Sequence, residues 1–196
     1  MADIYDLICS RRSIRKFLQK PIPYDVLERC VNAARLAPSA ANLQPLEFII
    51  IDDAEIRKLV FTTLRWAGYI KPHGNPKPNE EPTAYIVVLS NKKHASEWTK
   101  YDVGLATENI IIAALAQGVA SCIIGSIEKE RLHEILKIPL THDIELVVAL
   151  GYPAHKSTTV MMSGDGNVRY WKDDTDTFYV PKRDLRSVLH RNSYGR

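Results

Sequence analysis

Apolar residues recur along this chain in two rhythms, one helical and one extended. Leu27, Cys30, Val31, Ala34 and Ala37 are spaced by about one helical turn, which predicts a helix over 24–37 that Pro38 ends. Ile4, Leu7 and Ile8 predict a shorter amphipathic helix over 3–10. Four runs rich in apolar and β-branched residues, 46–51, 83–89, 119–124 and 144–150, read as strands, with helices over 53–67 and 127–137 between them. The helix over 100–117 differs from the rest. Val103, Leu105, Ala106 and the run from Ile110 to Leu115 leave it almost no polar face. A helix apolar nearly all round must be buried on nearly all sides. In a chain of 196 residues that is easier if a second subunit covers part of it.

Other stretches carry weaker patterns. Residues 71–82, rich in Pro, Gly and Asn, predict an irregular flap. The segment 154–180 offers only a short strand at 168–171, and 185–190 a last helical turn or two. Few strands loosely alternating with helices indicate an α+β or α/β fold, and no repeat or linker divides residues 1–196 into more than one domain.

Composition narrows the function classes. With 45% hydrophobic and 25% charged residues the chain is ordinary for a globular protein, and its net charge of +3 is mild. The basic residues are interleaved with acidic ones and form no aromatic-laced stripe, so no nucleic-acid partner is expected. Cys9, Cys30 and Cys122 have no paired spacing, as suits a reducing compartment. The longest apolar run, 110–116, is too short to span a bilayer, and no signal-peptide stretch opens the chain. A soluble, cytoplasmic protein without a membrane partner is expected. G-x-G-x-x-G, Walker, H-E-x-x-H and G-x-S-x-G patterns are missing, so neither a metal site nor a serine nucleophile is indicated. An enzyme built this way needs its chemistry carried by a cofactor.

Two polar constellations could hold one. Arg11, Arg12, Ser13 and Arg15 lie within five residues, and guanidinium groups with a hydroxyl suit a phosphate dianion. Alone, such a run is more often a solvated basic face. The loop 38–45, with Ser39, Asn42 and Gln44 between two prolines, could edge a polar heterocycle, or could simply join two elements.

Together the two change the picture. R-R-S-I-R-K-F near the start and A-P-S-A-A-N-L-Q-P some two dozen residues later resemble the nitroreductase family of FMN enzymes. The resemblance continues through Tyr101-Asp102, G-V-A-S-C-I-I-G-S-I from Gly118, and A-L-G-Y-P ending at Pro153. It implies an α+β three-layer sandwich, with a mixed or antiparallel sheet of four to five strands flanked by helices, in an intertwined homodimer with FMN at the interface. It implies that Arg11, Arg12, Ser13 and Arg15 hold the ribityl phosphate and the polar flavin edge. Pro38, Ser39, Ala40, Asn42 and Gln44 would lie by the isoalloxazine, from the other subunit, and Ile123, Ile124, Gly125 and Ser126 under the ring. Two electrons would pass from NADH or NADPH to a small organic acceptor, a nitroaromatic or quinone, with ping-pong kinetics and no catalytic side chain. The same fold also hosts reductive dehalogenation, flavin fragmentation and substrate dehydrogenation. A non-enzymatic basic module is the remote alternative.

The chain departs from the family pattern in places. Ser193 precedes Tyr194 where an arginine is common, which leaves Arg191 or Arg196 as the replacement phosphate ligand. Glu108 stands where glutamine is common, and the tail 154–196 looks subgroup-specific. Trp66 and Tyr69 are the aromatic residues expected to line the substrate pocket.

Overall fold

The computed structural model describes residues 3–70 and 74–195. Its centre is a five-stranded antiparallel sheet made of β1 (Phe17–Leu18), β2 (Leu46–Ile51), β3 (Ala84–Asn91), β4 (Ala120–Ile124) and β5 (His142–Pro153). The twelve-residue β5 organises it, pairing with β3 along most of its length, with β4 from Val147 to Gly151 and with β1 at Tyr152 and Pro153. β2 pairs with β3 alone in this sheet.

Period-2 alternation sends successive side chains to opposite faces, so a sheet whose central strands are apolar on both faces needs cover on both. On one face Ile86, Val88, Val148 and Leu150 pack against α2 (Tyr24–Arg35) and α4 (Thr99–Leu115), through Leu27, Cys30, Ala34, Ala106, Ile110 and Ala114. On the other, Tyr85, Val87, Val147 and Ala149 meet residues of α3 (Ala54–Thr62) and α5 (Lys129–Leu136), notably Val60 and Leu132. The result is the expected three-layer α+β sandwich, with the sheet wholly antiparallel.

Three local differences from the sequence pattern matter. α3 stops at Thr62 rather than 67, because the next residues turn so that Leu64 bridges Ile127. Arg65 and Trp66 are thereby released from the helix. The tail is more regular than its weak pattern suggested: β6 (Ser157–Met161), β7 (Trp171–Lys172) and β8 (Phe178–Lys182) form a second sheet, β6–β8 parallel and β8–β7 antiparallel. The strand expected at 168–171 thus starts only at Trp171, and the C-terminal helical turn is confined to Leu185–Ser187. Of the expected flap, 71–73 lie outside the described residues, and 74–82 have no regular structure.

One close approach fixes the N-terminal strand. A Cβ added at Gly151 would come within 2.6–2.8 Å of the ring and Cβ of Phe17, a fully buried side chain. Gly151→Ala is therefore expected to cost about 1–3 kcal/mol by overpacking. The denaturant midpoint measures it, and an unchanged midpoint would show that Phe17 can move aside.

α4 is not buried all round in the single chain. Tyr101 and Leu105 are 66% and 48% exposed, on one stripe with Gly104 and Glu108. α1 (Ile4–Ser10) buries none of its residues, and Ile4, Tyr5 and Ile8 are all exposed.

Candidate active site

The basic segment begins where α1 ends, as Arg11 leaves helical backbone angles. Ser13 then forms a parallel bridge with Ser121, and the Ile14 N–H donates to the Ser121 carbonyl at 2.8 Å. Buried Ile14 and Phe17 anchor the segment, so the intervening charged side chains are displayed beside the start of β4.

The four cations of this run have different surroundings. Arg11 Nε lies 3.8 Å from the Glu108 carboxylate. Arg12 donates to the carbonyls of Cys9 at 2.8 Å and Arg11 at 2.6 Å, and to Thr159 Oγ1 at 3.4 Å. Burial, then repulsion from Arg11, lowers its pKa. Lys16 is paired with Asp176, and Glu80 lies 3.6 Å away. Arg12 has no acidic partner, and Arg15 alone has neither an acidic partner nor a side-chain hydrogen bond among the described residues. Its guanidinium lies 4.6 Å from the Tyr170 ring centroid and 5.6 Å from that of Phe178.

Arg15 opens into a cavity of about 200 Å³ shared with Arg65, Trp66, Tyr170 and the stretch from Cys122 to Ser126. This floor suits a flat ligand. Ile123 is exposed at a strand end, and nothing lies within 4 Å of a Cβ built on Gly125, so backbone can be approached closely there. Trp66 is buried with its Nε1–H unpartnered, while Arg65 is tied to Glu128 at 2.8 Å. An unpaired guanidinium, exposed backbone and an aromatic wall are groups that fit the anionic, hydrogen-bonding edge of a planar heterocycle. Two roomier clefts lack this chemistry: beside Tyr85, Arg57 is already committed to the carbonyls of Asp52 and Pro82, and the cleft along 49–53 is mostly isoleucine.

The loop 38–44 lies elsewhere. Pro38, Ser39 and Gln44 line a separate cavity of about 150 Å³ with Asp102, and it shares no residue with the Arg15 cavity. The loop is held by two bonds, from the Ala40 N–H to the buried Asp102 carboxylate and from the Gln44 N–H to Ser39 Oγ, both 3.0 Å. Ala41, Asn42 and Gln44 all have left-handed backbone, an arrangement that costs energy in non-glycine residues and clusters at ligand sites. Within one chain, then, the structure brings together Arg15, Trp66 and 123–126 and keeps 38–44 apart. Arg191 is exposed and makes no ion pair among the described residues, Arg196 lies outside them, and the Tyr69 ring packs at a tilt against Tyr170, 5.1 Å between centroids, without lining the cavity. Sequence reading missed Tyr170 and Asp102 as site residues. Asp102 carried a signal, being a charged residue in the first turn of a largely apolar helix.

Residues 8–152 match the family described as the Nitroreductase family. The chain belongs to it. This nitroreductase-family member is therefore an oxidoreductase. It is 34% identical over 201 residues to a protein of Archaeoglobus fulgidus named "Putative NADH dehydrogenase/NAD(P)H nitroreductase", covering 99% of this chain and 100% of the other. An iodotyrosine deiodinase of Haliscomenobacter hydrossis is 25% identical over 178 residues, covering 78% and 80%. Among solved structures, an FMN-dependent nitroreductase of Clostridium difficile R20291 superposes with a TM-score of 0.67 at 23% identity, over 96% of this chain and 98% of that one. That likeness concerns the fold. No helix among the described residues is long and apolar enough to cross a membrane.

Proposed function

We propose that this nitroreductase-family member binds FMN and passes electron pairs from NADH or NADPH to a small organic acceptor such as a nitroaromatic or quinone. Arg15 carries the reading: among the described residues it is the one cation of the basic run whose side chain makes neither an ion pair nor a hydrogen bond, and it shares its cavity with Ile123–Ser126. Bound FMN would supply the two-electron carrier. The protein's part is to hold and orient. Arg15 offers charge-assisted hydrogen bonds, the 123–126 backbone lies against the ring, and Trp66 shields one side from water. Arg12 and Ser13 are the remaining candidates for the phosphate, with Arg191 as the C-terminal one, whereas Arg11 is already held beside Glu108.

The reading includes a homodimer. Pro38, Ser39, Ala40, Asn42 and Gln44 are built into a strained loop with no part in their own chain's Arg15 cavity, and a second copy could supply them there. The exposed apolar residues of α1 and α4 provide a surface for that copy. We treat 1–196 as one flavin-binding domain, its tail joined to the basic segment, and place it in the cytoplasm, where its three free thiols are at home.

The test is an absorption spectrum of the purified protein, before and after anaerobic NADH and then NADPH. Flavin bands that bleach with one nicotinamide support the reading, and a colourless protein that takes up no FMN overturns it. Parallel double-reciprocal plots are expected in the steady state, whereas intersecting lines would exclude ping-pong turnover. The deiodinase relative favours a second use of the same cofactor, reductive dehalogenation. Full flavin loading with negligible turnover of nitroaromatics and quinones would select it. A nucleic-acid module is disfavoured, because Arg11 and Lys16 face carboxylates and Arg12 is turned onto carbonyls.

A further inference from the structure

The tail sheet is fastened to the basic segment almost residue by residue. Thr159 meets Arg12, Tyr170 and Phe178 cover Arg15, and Asp176 joins Lys16 to Lys172. One contact in this set is directed at the backbone itself. The Arg15 N–H donates to His155 Nε2 at 2.8 Å. Because a backbone N–H can only donate, Nε2 must be the unprotonated ring nitrogen, and Nδ1 then carries the hydrogen that faces the Lys156 carbonyl at 3.0 Å. The ring is kept in place by Phe178, 4.5 Å away between centroids.

We propose that His155 is a positioning residue for Arg15: in its neutral form it pins the backbone from which the guanidinium enters the cavity, and so sets the affinity for the flavin. This rests on the FMN reading above. A protonated imidazole has no lone pair for the Arg15 N–H, so the pin fails when His155 gains a proton.

The groups facing His155 pull both ways, and burial decides the outcome. Burial lowers its pKa below the usual 6.5; the bond to the Lys156 carbonyl and the Asp176 carboxylate oppose this, and Arg15 and Lys16 reinforce it. Asp176 is itself engaged by Lys16 and Lys172, and Lys16 also by Glu80. The sign follows. The unfolded chain takes up the proton near pH 6.5 and the folded one only at lower pH, so the contribution is complete above 6.5 and is lost as pH falls through the folded value.

The experiment measures FMN dissociation constants by flavin fluorescence from pH 7.5 to 5, for the parent, His155→Phe and His155→Gln. Phenylalanine keeps the ring packing and deletes the acceptor, and glutamine offers an amide oxygen that does not titrate. The second ionisation of the FMN phosphate, near pH 6, acts equally on all three. His155→Phe is expected to bind about tenfold more weakly than the parent at pH 7.5, as the loss of one hydrogen bond implies. That ratio should shrink toward one as pH falls below 6.5, while His155→Gln loses less affinity than the parent over the same range. A Phe-to-parent ratio of one, or one that does not change with pH, overturns the proposal. If His155→Phe does not fold, His155→Gln decides alone, and a profile with the parent's slope overturns it. A parent that binds no FMN at pH 7.5 overturns the flavin reading instead.

Discussion

Arg15→Ala is expected to raise the FMN dissociation constant by roughly 10- to 150-fold, the equivalent of 1.5–3 kcal/mol for a lost charged hydrogen bond. The magnitude follows from what else Arg15 does, which is little. It has no carboxylate to leave orphaned, and its stacking on Tyr170 and Phe178 is a partly exposed contact contributing about 0.5–1 kcal/mol. The fold should therefore survive, and the loss should appear in flavin titration rather than in the melting temperature. Arg11→Ala makes the contrast. Arg11 already has Glu108 beside it, so its removal should change FMN affinity by no more than about threefold. An Arg15→Ala protein that holds FMN as tightly as the parent, or an Arg11→Ala protein that loses more, would mean the anion site is misplaced.

A charge placed on the exposed stripe of α4 should have the second large effect. The double variant Tyr101→Glu, Leu105→Glu sets two carboxylates where an apolar face is proposed to meet its copy. Burying each without a partner costs several kcal/mol, enough to weaken the dimer by at least about a hundredfold. Sedimentation at micromolar concentration should find a monomer. Flavin should be lost with it, since the Pro38–Gln44 loop and the Arg15 cavity are separate in one chain. Because both residues are exposed in the single chain, folding itself is not expected to suffer. A variant that remains dimeric and fully yellow would move the interface elsewhere.

Legibility in the sequence followed the physics of each element. β2 was readable to the residue, because a β-branched run closed by Asp52-Asp53 has few other uses. α4 was readable as a helix, but its exposed stripe was hidden by its own hydrophobicity: Tyr101 and Leu105 look like core residues. The tail sheet was illegible, since the half-exposed Ser157–Met161 acquires its pairing only from Phe178–Lys182, some twenty residues on. In the site, the Arg and loop segments could be picked out by residue type. Which arginine stays unpaired could not, because that depends on Glu108, Thr159 and Asp176, all distant in sequence. The left-handed angles of Ala41, Asn42 and Gln44 leave no mark in composition, nor does the tautomer that His155 must hold.

The first helix has one more consequence. Seven residues are too few to stay helical in water unaided, and α1 buries none of its own. Its order must be lent by whatever rests on it, and the basic run starts immediately at its end. If a second copy is the lender, mass action enters the chemistry. Specific activity would then fall on dilution, even with excess FMN, as the leading turn frays in step with dissociation. Assays at nanomolar enzyme would report a poorer catalyst than the one present at the concentrations of a cell.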